Sequence, residues 1–373
     1  MRTFRRWLLL ASGGPLLGAP ALAQSPAGTP QAAAAGPSVS GIIIGHYQYL
    51  SGGPRKDQNQ FGLDRAYLTL RGSPAPRTTY RLTTDVYQAG DGTGWAVRLK
   101  YGYVNYEVNA GRAWAPALRL GMLQTVAIEH VEQFWPRWLG TTALDRHGYF
   151  SSADVGVAAQ LGLPSRRGEV YAHVVNGTGF GRREVDRFKD VGARVSLTPL
   201  AAGTSGLWGS LTLTGWAYQG AAASRFAADS VRPVGGSLAR DRWGLFAGLR
   251  DPRLVLGLEH ASRTDASESG ANLAASPRVV AVVDGSLTSG FAIVRPMAWR
   301  GARRAAPWAL VARYDRVSPN DATGRGYHYL LAGTLYDVNA RLSVAVDYQE
   351  QLGAPVVTPS PLRTWMAHFA LNY

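Results

Sequence analysis

From Ser38 onward the chain alternates, with apolar and polar residues exchanging places at every second position. The alternating segments run for about ten residues, the length at which a tilted strand crosses a bilayer. Val191, Ala193, Val195 and Leu197 oppose Asp190, Gly192, Arg194 and Ser196, while Leu342, Val344, Val346 and Tyr348 oppose Arg341, Ser343, Ala345, Asp347 and Gln349. The pattern predicts 16 strands, the first eight at 38–50, 60–72, 78–89, 95–109, 115–123, 152–163, 169–176 and 188–198. The others are predicted at 208–219, 241–250, 253–262, 289–296, 308–317, 327–337, 340–349 and 362–373, with Val279 to Val283 assignable to strand or loop.

A soluble sandwich also alternates. Here the polar face carries Arg, Asp, Gly and Ser, and aromatic residues gather near strand ends. That is the pattern of a lipid-facing apolar band, aromatic girdles and a wet lumen. The expected fold class is all-β, a 16-stranded antiparallel transmembrane barrel over residues 38–373. If the first strand runs outward, even-to-odd connections such as 73–77, 163–168, Asp251-Pro252 and Val338-Asn339 are short and periplasmic. The odd-to-even ones include longer stretches at 51–59, 220–240 and 263–277, on the extracellular side. The longest connection, Gln124 to Ser151, joins two strands within the stretch Leu118 to Leu161. Connections that long usually have a task, and in a pore the nearest one is to fold inward as a constricting third extracellular loop.

The N-terminus carries Arg2, Arg5 and Arg6, a broken apolar stretch from Trp7 to Leu17, and Ala21-Leu22-Ala23 before Gln24. This predicts a signal peptide over 1–23 and a low-complexity, disordered periplasmic tail over 24–37. Its loss leaves 36 basic against 25 acidic residues, a surplus of +11. The basic residues are almost all arginine, since lysine occurs only at Lys56, Lys100 and Lys189, and they are scattered singly through the strands. No basic block or recognition helix points to nucleic acid. The chain has no cysteine, which removes disulfides and thiolate chemistry. The last segment ends in Trp365, Ala367, Phe369, Leu371 and Tyr373. It resembles the C-terminal signal read by the barrel-assembly machinery.

Several phrases resemble the phosphate-selective porin family, the porin O and P type. They are FGLDRAYLTLRGSPAPRTTYRLTTDV at 61–86, LRLGMLQTVAIEHVE at 118–132, DVGVAAQL at 154–161, VVNGTG at 174–179, KDVGARVSLTP at 189–199 and LVARYDRVSP at 310–319. The resemblance implies an outer-membrane barrel of a Gram-negative-type bacterium, a homotrimer, and passage of small anions past the third loop. The family's lysine cluster has no counterpart in a chain with three lysines, although arginine pairs with phosphate bidentately.

The alternation turns Arg65, Arg71, Arg81, Arg98, Lys100, Arg119, Arg194, Arg242, Arg250, Arg313 and Arg341 toward the lumen. The same face carries Asp85, Asp154, Asp190, Glu259, Asp315 and Asp347. These charges either pair into wall-stiffening networks or set the potential that selects solutes. Arg119, Arg137 and Arg146 are the expected selectivity residues, supported by Arg65, Arg81, Arg98, Lys100, Arg194, Arg242 and Arg313. Within the loop, Phe134, Trp135 and Trp138 are expected to wedge against the inner wall, and His130 and His147 to be neutral hydrogen-bonding groups. No catalytic elbow or metal-ligand spacing appears, so neither cofactor nor metal is expected. The expected function is a porin for small solutes with anion preference, phosphate or other oxyanions. A non-selective diffusion porin is the alternative, ahead of an outer-membrane enzyme or an adhesin barrel.

Overall fold

The computed structural model describes residues 36–89, 94–108, 115–184, 186–200, 207–222, 238–269, 279–300, 307–353 and 362–373. The expected signal peptide and nearly all of the tail lie outside these residues.

Sixteen strands close into one antiparallel barrel, each bonded to its sequence neighbours and β1 to β16. They are β1 Ser38–Leu50, β2 Asn59–Ala75, β3 Thr78–Gln88, β4 Trp95–Glu107, β5 Pro116–Gln124, β6 Ala153–Gly162, β7 Gly168–Val175 and β8 Asp190–Leu197. The second half comprises β9 Thr212–Ala222, β10 Leu238–Asp251, β11 Leu254–Ser269, β12 Val279–Val294, β13 Trp308–Asn320, β14 Arg325–Asp337, β15 Leu342–Leu352 and β16 Arg363–Asn372. Closure leaves no edge strand, which a bilayer requires because lipid offers backbone groups no partner. Among the described residues no helix is long and apolar enough to cross a membrane.

The alternation resolves into two faces. Leu120 is 65% exposed and Leu310 54%, whereas Arg313 is 3% and Arg194 4%. An apolar exterior this continuous is unfavourable in water and is the lipid-contact surface of a barrel. Tight turns hold the ends opposite the long connections. Ala75 pairs with Thr78 across Pro76 and Arg77, the latter at φ 59°, and Asp251 pairs with Leu254 across Pro252 and Arg253.

The strands depart from the sequence expectation in several places. Residues 207–210 form a 3-10 turn, so β9 begins at Thr212 rather than Trp208. β10 begins at Leu238 rather than Asp241, which brings Arg240 into the strand. β11 and β12 are far longer than read, and the expected loop 263–277 is strand as far as Ser269, as is Val279 to Val283. There the outward positions turn polar at Ser262, Ser286, Thr264 and Asp284 before Val282 and Val280 are exposed again, so the apolar alternation that marks a lipid-facing strand is broken. Arg341 sits exposed in the turn before β15, where Asn339 Oδ1 accepts its backbone N–H, and so it is not a lumenal residue.

The inward face is also less uniformly polar than its alternation suggested. Phe246, Phe291, Ile293, Val311, Leu331 and Leu335 are buried on it, in one apolar cluster with Val131, Phe134, Trp135 and Leu139 of the connection 125–152. That connection carries two single-turn helices, α1 Ile128–Val131 and α2 Ala143–Arg146, and a 3-10 turn at 137–139. Where it leaves the wall, β5 and β6 oppose Gly121 to Gly156. Gly121 has φ 126°, and a Cβ there would lie 2.2 Å from the Gly102 carbonyl oxygen. Only glycine fits.

Candidate functional site

The side chains of the long connection meet inward-facing residues of many strands. Phe134 packs on Phe246 of β10 with ring centroids 5.1 Å apart, and Trp135 on Phe291 of β12 at 5.2 Å. Trp138 lies 6.4 Å from His368 of β16. The three aromatic residues thus wedge against the inner wall as the sequence suggested, because nothing else in a polar loop could desolvate them.

Polar anchors complete the attachment. Arg313 of β13 donates to the Thr141 carbonyl at 2.5 Å, Arg194 of β8 to Val126 at 2.6 Å, and Arg250 of β10 to Gln133 at 2.8 Å. Arg242 donates to the Tyr149 carbonyl. Four wall arginines therefore satisfy backbone carbonyls that the irregular loop leaves unpaired. Arg81 Nη1 meets Glu129 Oε1 at 2.6 Å, and its guanidinium lies 4.1 Å from the Tyr101 ring centroid. Burial alone would raise the Glu129 carboxyl, but Arg81, aided by Arg119 and Lys100, holds it below the usual carboxylate range.

Both loop histidines are held neutral. Burial, with Arg194 nearby, pushes His130 well below its ordinary pKa, and its Nε2 lies 2.8 Å from Thr214 Oγ1. Burial also lowers His147, against the opposing pull of Asp315. Its Nδ1 lies 2.9 Å from the Tyr327 hydroxyl and its Nε2 2.9 Å from Asp315 Oδ2. A neutral imidazole fits this if Nε2 donates to the carboxylate and Nδ1 accepts from the phenol.

Beside the loop a cavity of about 660 Å³ opens. Arg65, Arg98, Lys100, Arg137 and Arg146 line it, with Asp145 as the carboxylate on its surface. Arg98 Nε lies 2.9 Å and Arg65 Nη1 3.8 Å from the same oxygen of Asp85. Arg137 is held between Glu132 at 2.5 Å and Asp145 at 3.0 Å, and burial opposes its charge while Tyr67 and these carboxylates favour it. Lys100 donates to Ser152 Oγ. Arg146 lies 3.7 Å from the Tyr329 ring centroid and forms no ion pair among the described residues. Arg119 stands apart on β5, held by the amide oxygens of Gln124 at 2.8 Å and Gln160 at 2.7 Å.

The sequence reading therefore grouped residues that the structure sorts into three roles. Arg194, Arg242 and Arg313 pair with Glu169, Asp265 and Asp315 and hold the loop. Arg81 joins them through Glu129. Arg65, Arg98, Lys100, Arg137 and Arg146 line one cavity, and Arg119 lies elsewhere on the wall. Phe180 was missed. It sits in the connection 176–189 and reaches β4, its ring centroid 4.4 Å from both the Arg98 guanidinium and Lys100 Nζ. Asp154 steadies that connection by accepting the N–H groups of Gly177 at 2.8 Å and Gly179 at 2.9 Å. The glycines beside an inward Asp were legible, but nothing in the sequence marked Phe180. Glu169 and Arg240 also escaped, the latter because β10 begins earlier than read; Arg240 pairs with Asp190. Among the described residues no group of acidic or histidine side chains could hold a metal.

No protein-family model and no curated protein matches the chain. The likeness to the phosphate-selective porins thus has no independent family match. Solved structures match over nearly the whole chain. An anion-selective porin from Comamonas acidovorans aligns with TM-score 0.62 at 11% identity, over 91% of this chain and 99% of that one. The outer-membrane channel DcaP of Acinetobacter baumannii aligns with TM-score 0.59 at 10% identity, over 93% of this chain and 100% of that one. OmpT of Vibrio cholerae, in a trimer form, aligns with TM-score 0.58 at 12% identity, over 91% and 99% respectively. At these identities the likeness is one of fold: this chain is a 16-stranded barrel of the outer-membrane porin type, and its place is the outer membrane.

Proposed function

We propose that the protein is an outer-membrane porin that favours small anions, with the 125–152 loop narrowing the passage. The observation that carries this is the cavity beside the loop, to which five basic side chains and one carboxylate contribute surface. Asp85, Glu132 and Asp145 offset part of that charge, and Arg146, stacked on a neutral ring, contributes the clearest surplus. Screening over about 8 Å at physiological ionic strength confines such charges to local action, so a cation matters where the passage is narrow. Arginine suits oxyanions because its planar fork pairs with them bidentately. Phosphate and other oxyanions are therefore the solutes this reading favours. A homotrimer fits the apolar exterior, and the apolar register of Trp365 and Phe369 in β16, ending at Tyr373 just beyond it, suits recognition by the barrel-assembly machinery.

Single-channel recording across a potassium chloride gradient tests the reading. Chloride preference is expected, with phosphate lowering the chloride current as it occupies the same cations. Potassium preference would make a non-selective diffusion porin the better description, and absence of channels in a folded barrel would overturn the porin reading itself.

A further inference from the structure

On the outer wall the apolar band of β11 to β14 ends at four directly opposed residues, His260, Thr288, Arg316 and His328. Arg316 is exposed and has no hydrogen bond or ion pair among the described residues. Its neighbours are occupied with each other, since His260 Nδ1 lies 3.0 Å from Thr288 Oγ1 and the Tyr314 hydroxyl 2.6 Å from His328 Nδ1. Ser262, Ser286 and Ser318 continue the polar surface one pair of residues further from the periplasmic turns. With odd-to-even connections on the extracellular side, this stripe sits where the outer leaflet's headgroups begin.

Directly below it the wall is concave. A groove of about 540 Å³ runs between Leu258 and Tyr314 down toward Trp208, and its floor is formed by Gly290, Ala292 and Ala312. Its surface is almost wholly apolar. A Cβ at Gly290 would meet only Leu258 Cδ1 at 3.9 Å and the Gly257 carbonyl at 4.0 Å, so the space above that glycine is open. A lone cation at a headgroup boundary attracts anionic lipid, and a groove beneath it gains by burying a chain of methylenes.

We infer that this face docks one phosphorylated, acylated lipid of the outer leaflet, its phosphate on Arg316 and an acyl chain in the Gly290–Ala312 groove. The two parts lie four residues apart along β13, about 13 Å at the usual rise, within the reach of one lipid chain. The inference requires the barrel's orientation in the membrane and is independent of which solutes pass through the lumen.

Native mass spectrometry of the delipidated full barrel, titrated with bis-phosphorylated lipid A or with its dephosphorylated form, tests it. Arg316→Gln should weaken the phosphorylated lipid about tenfold, the scale of one charge-assisted contact, and leave the dephosphorylated form unchanged. Gly290→Leu should weaken both. Conductance and reversal potential should stay at wild-type values in each variant, which separates this site from the lumen and confirms folding. Equal retention of both lipids by wild type and Arg316→Gln would overturn the headgroup assignment. Displacement by an equal concentration of inorganic phosphate would reduce the site to a free-anion contact. Loss of subunit association in Gly290→Leu, with lipid binding intact, would make the groove an interface between copies instead.

Discussion

The two halves of the barrel's inner wall follow one alternation and carry different chemistry. Strands β2 to β8 turn Arg65, Arg81, Arg98, Lys100, Arg119 and Arg194 inward, most of them over tyrosine or phenylalanine rings. Strands β10 to β14 turn Phe246, Phe291, Val311 and Leu331 inward, beneath Phe134, Trp135 and Leu139 of the loop. The first half sets three of these, Arg65, Arg98 and Lys100, on the surface of a cavity, and the second packs an apolar core against the loop beside its own buried charges Arg313 and Asp315. An inward position is therefore not by itself a wet one. The loop that covers it decides.

Removing the cover should have the largest effect. Deleting Glu132 to Asp145 takes away Phe134, Trp135 and Leu139, which fill the apolar half, and Leu144 of a second buried cluster. Unitary conductance is expected to rise severalfold, and unchanged conductance from a folded barrel would mean that the loop does not bound the passage.

Two loop arginines sharpen the contrast at smaller scale. Arg137 joins Glu132 to Asp145, so Arg137→Gln leaves two half-buried carboxylates unpaired and facing each other. The expected signature is a noisy, fluctuating current. Arg146 has no such bond to lose, and Arg146→Gln should reduce anion preference with a quiet current. Identical behaviour of the two variants would show that pairing does not separate anchoring from selection.

The smallest effect concerns acid. His130 and His147 are held neutral by burial, so their folded pKa values lie below the ordinary 6.5. The stabilisation they give the loop is complete above that ordinary value and is lost as pH falls through the folded ones, because the released loop binds protons more readily. Closures or current noise should increase on acidification, and His130→Asn should blunt that rise. Recordings that are insensitive to pH down to the onset of barrel unfolding would separate the histidines from loop anchorage.

All sixteen strands were legible in the sequence because each repeats a local rule: neighbouring side chains point to opposite faces, and lipid tolerates only one kind. Strand ends were legible where the apolar face stops at the membrane boundary, as at Ser38 and Trp308, and obscure where β11 and β12 continue beyond it. Most of the inward basic residues could likewise be read from strand parity, with Arg341 misplaced and Arg240 missed where the strand ends were misjudged. Their roles could not. That Arg313 and Arg194 hold loop carbonyls, that Arg146 rests on Tyr329, and that Phe180 covers Arg98 and Lys100 depend on contacts between residues far apart in the chain. Parity tells which side of a sheet a side chain occupies and nothing of what lies opposite. Only the closed barrel, by bringing β3 and β13 around the same loop, decided which arginines hold the loop and which line the cavity beside it.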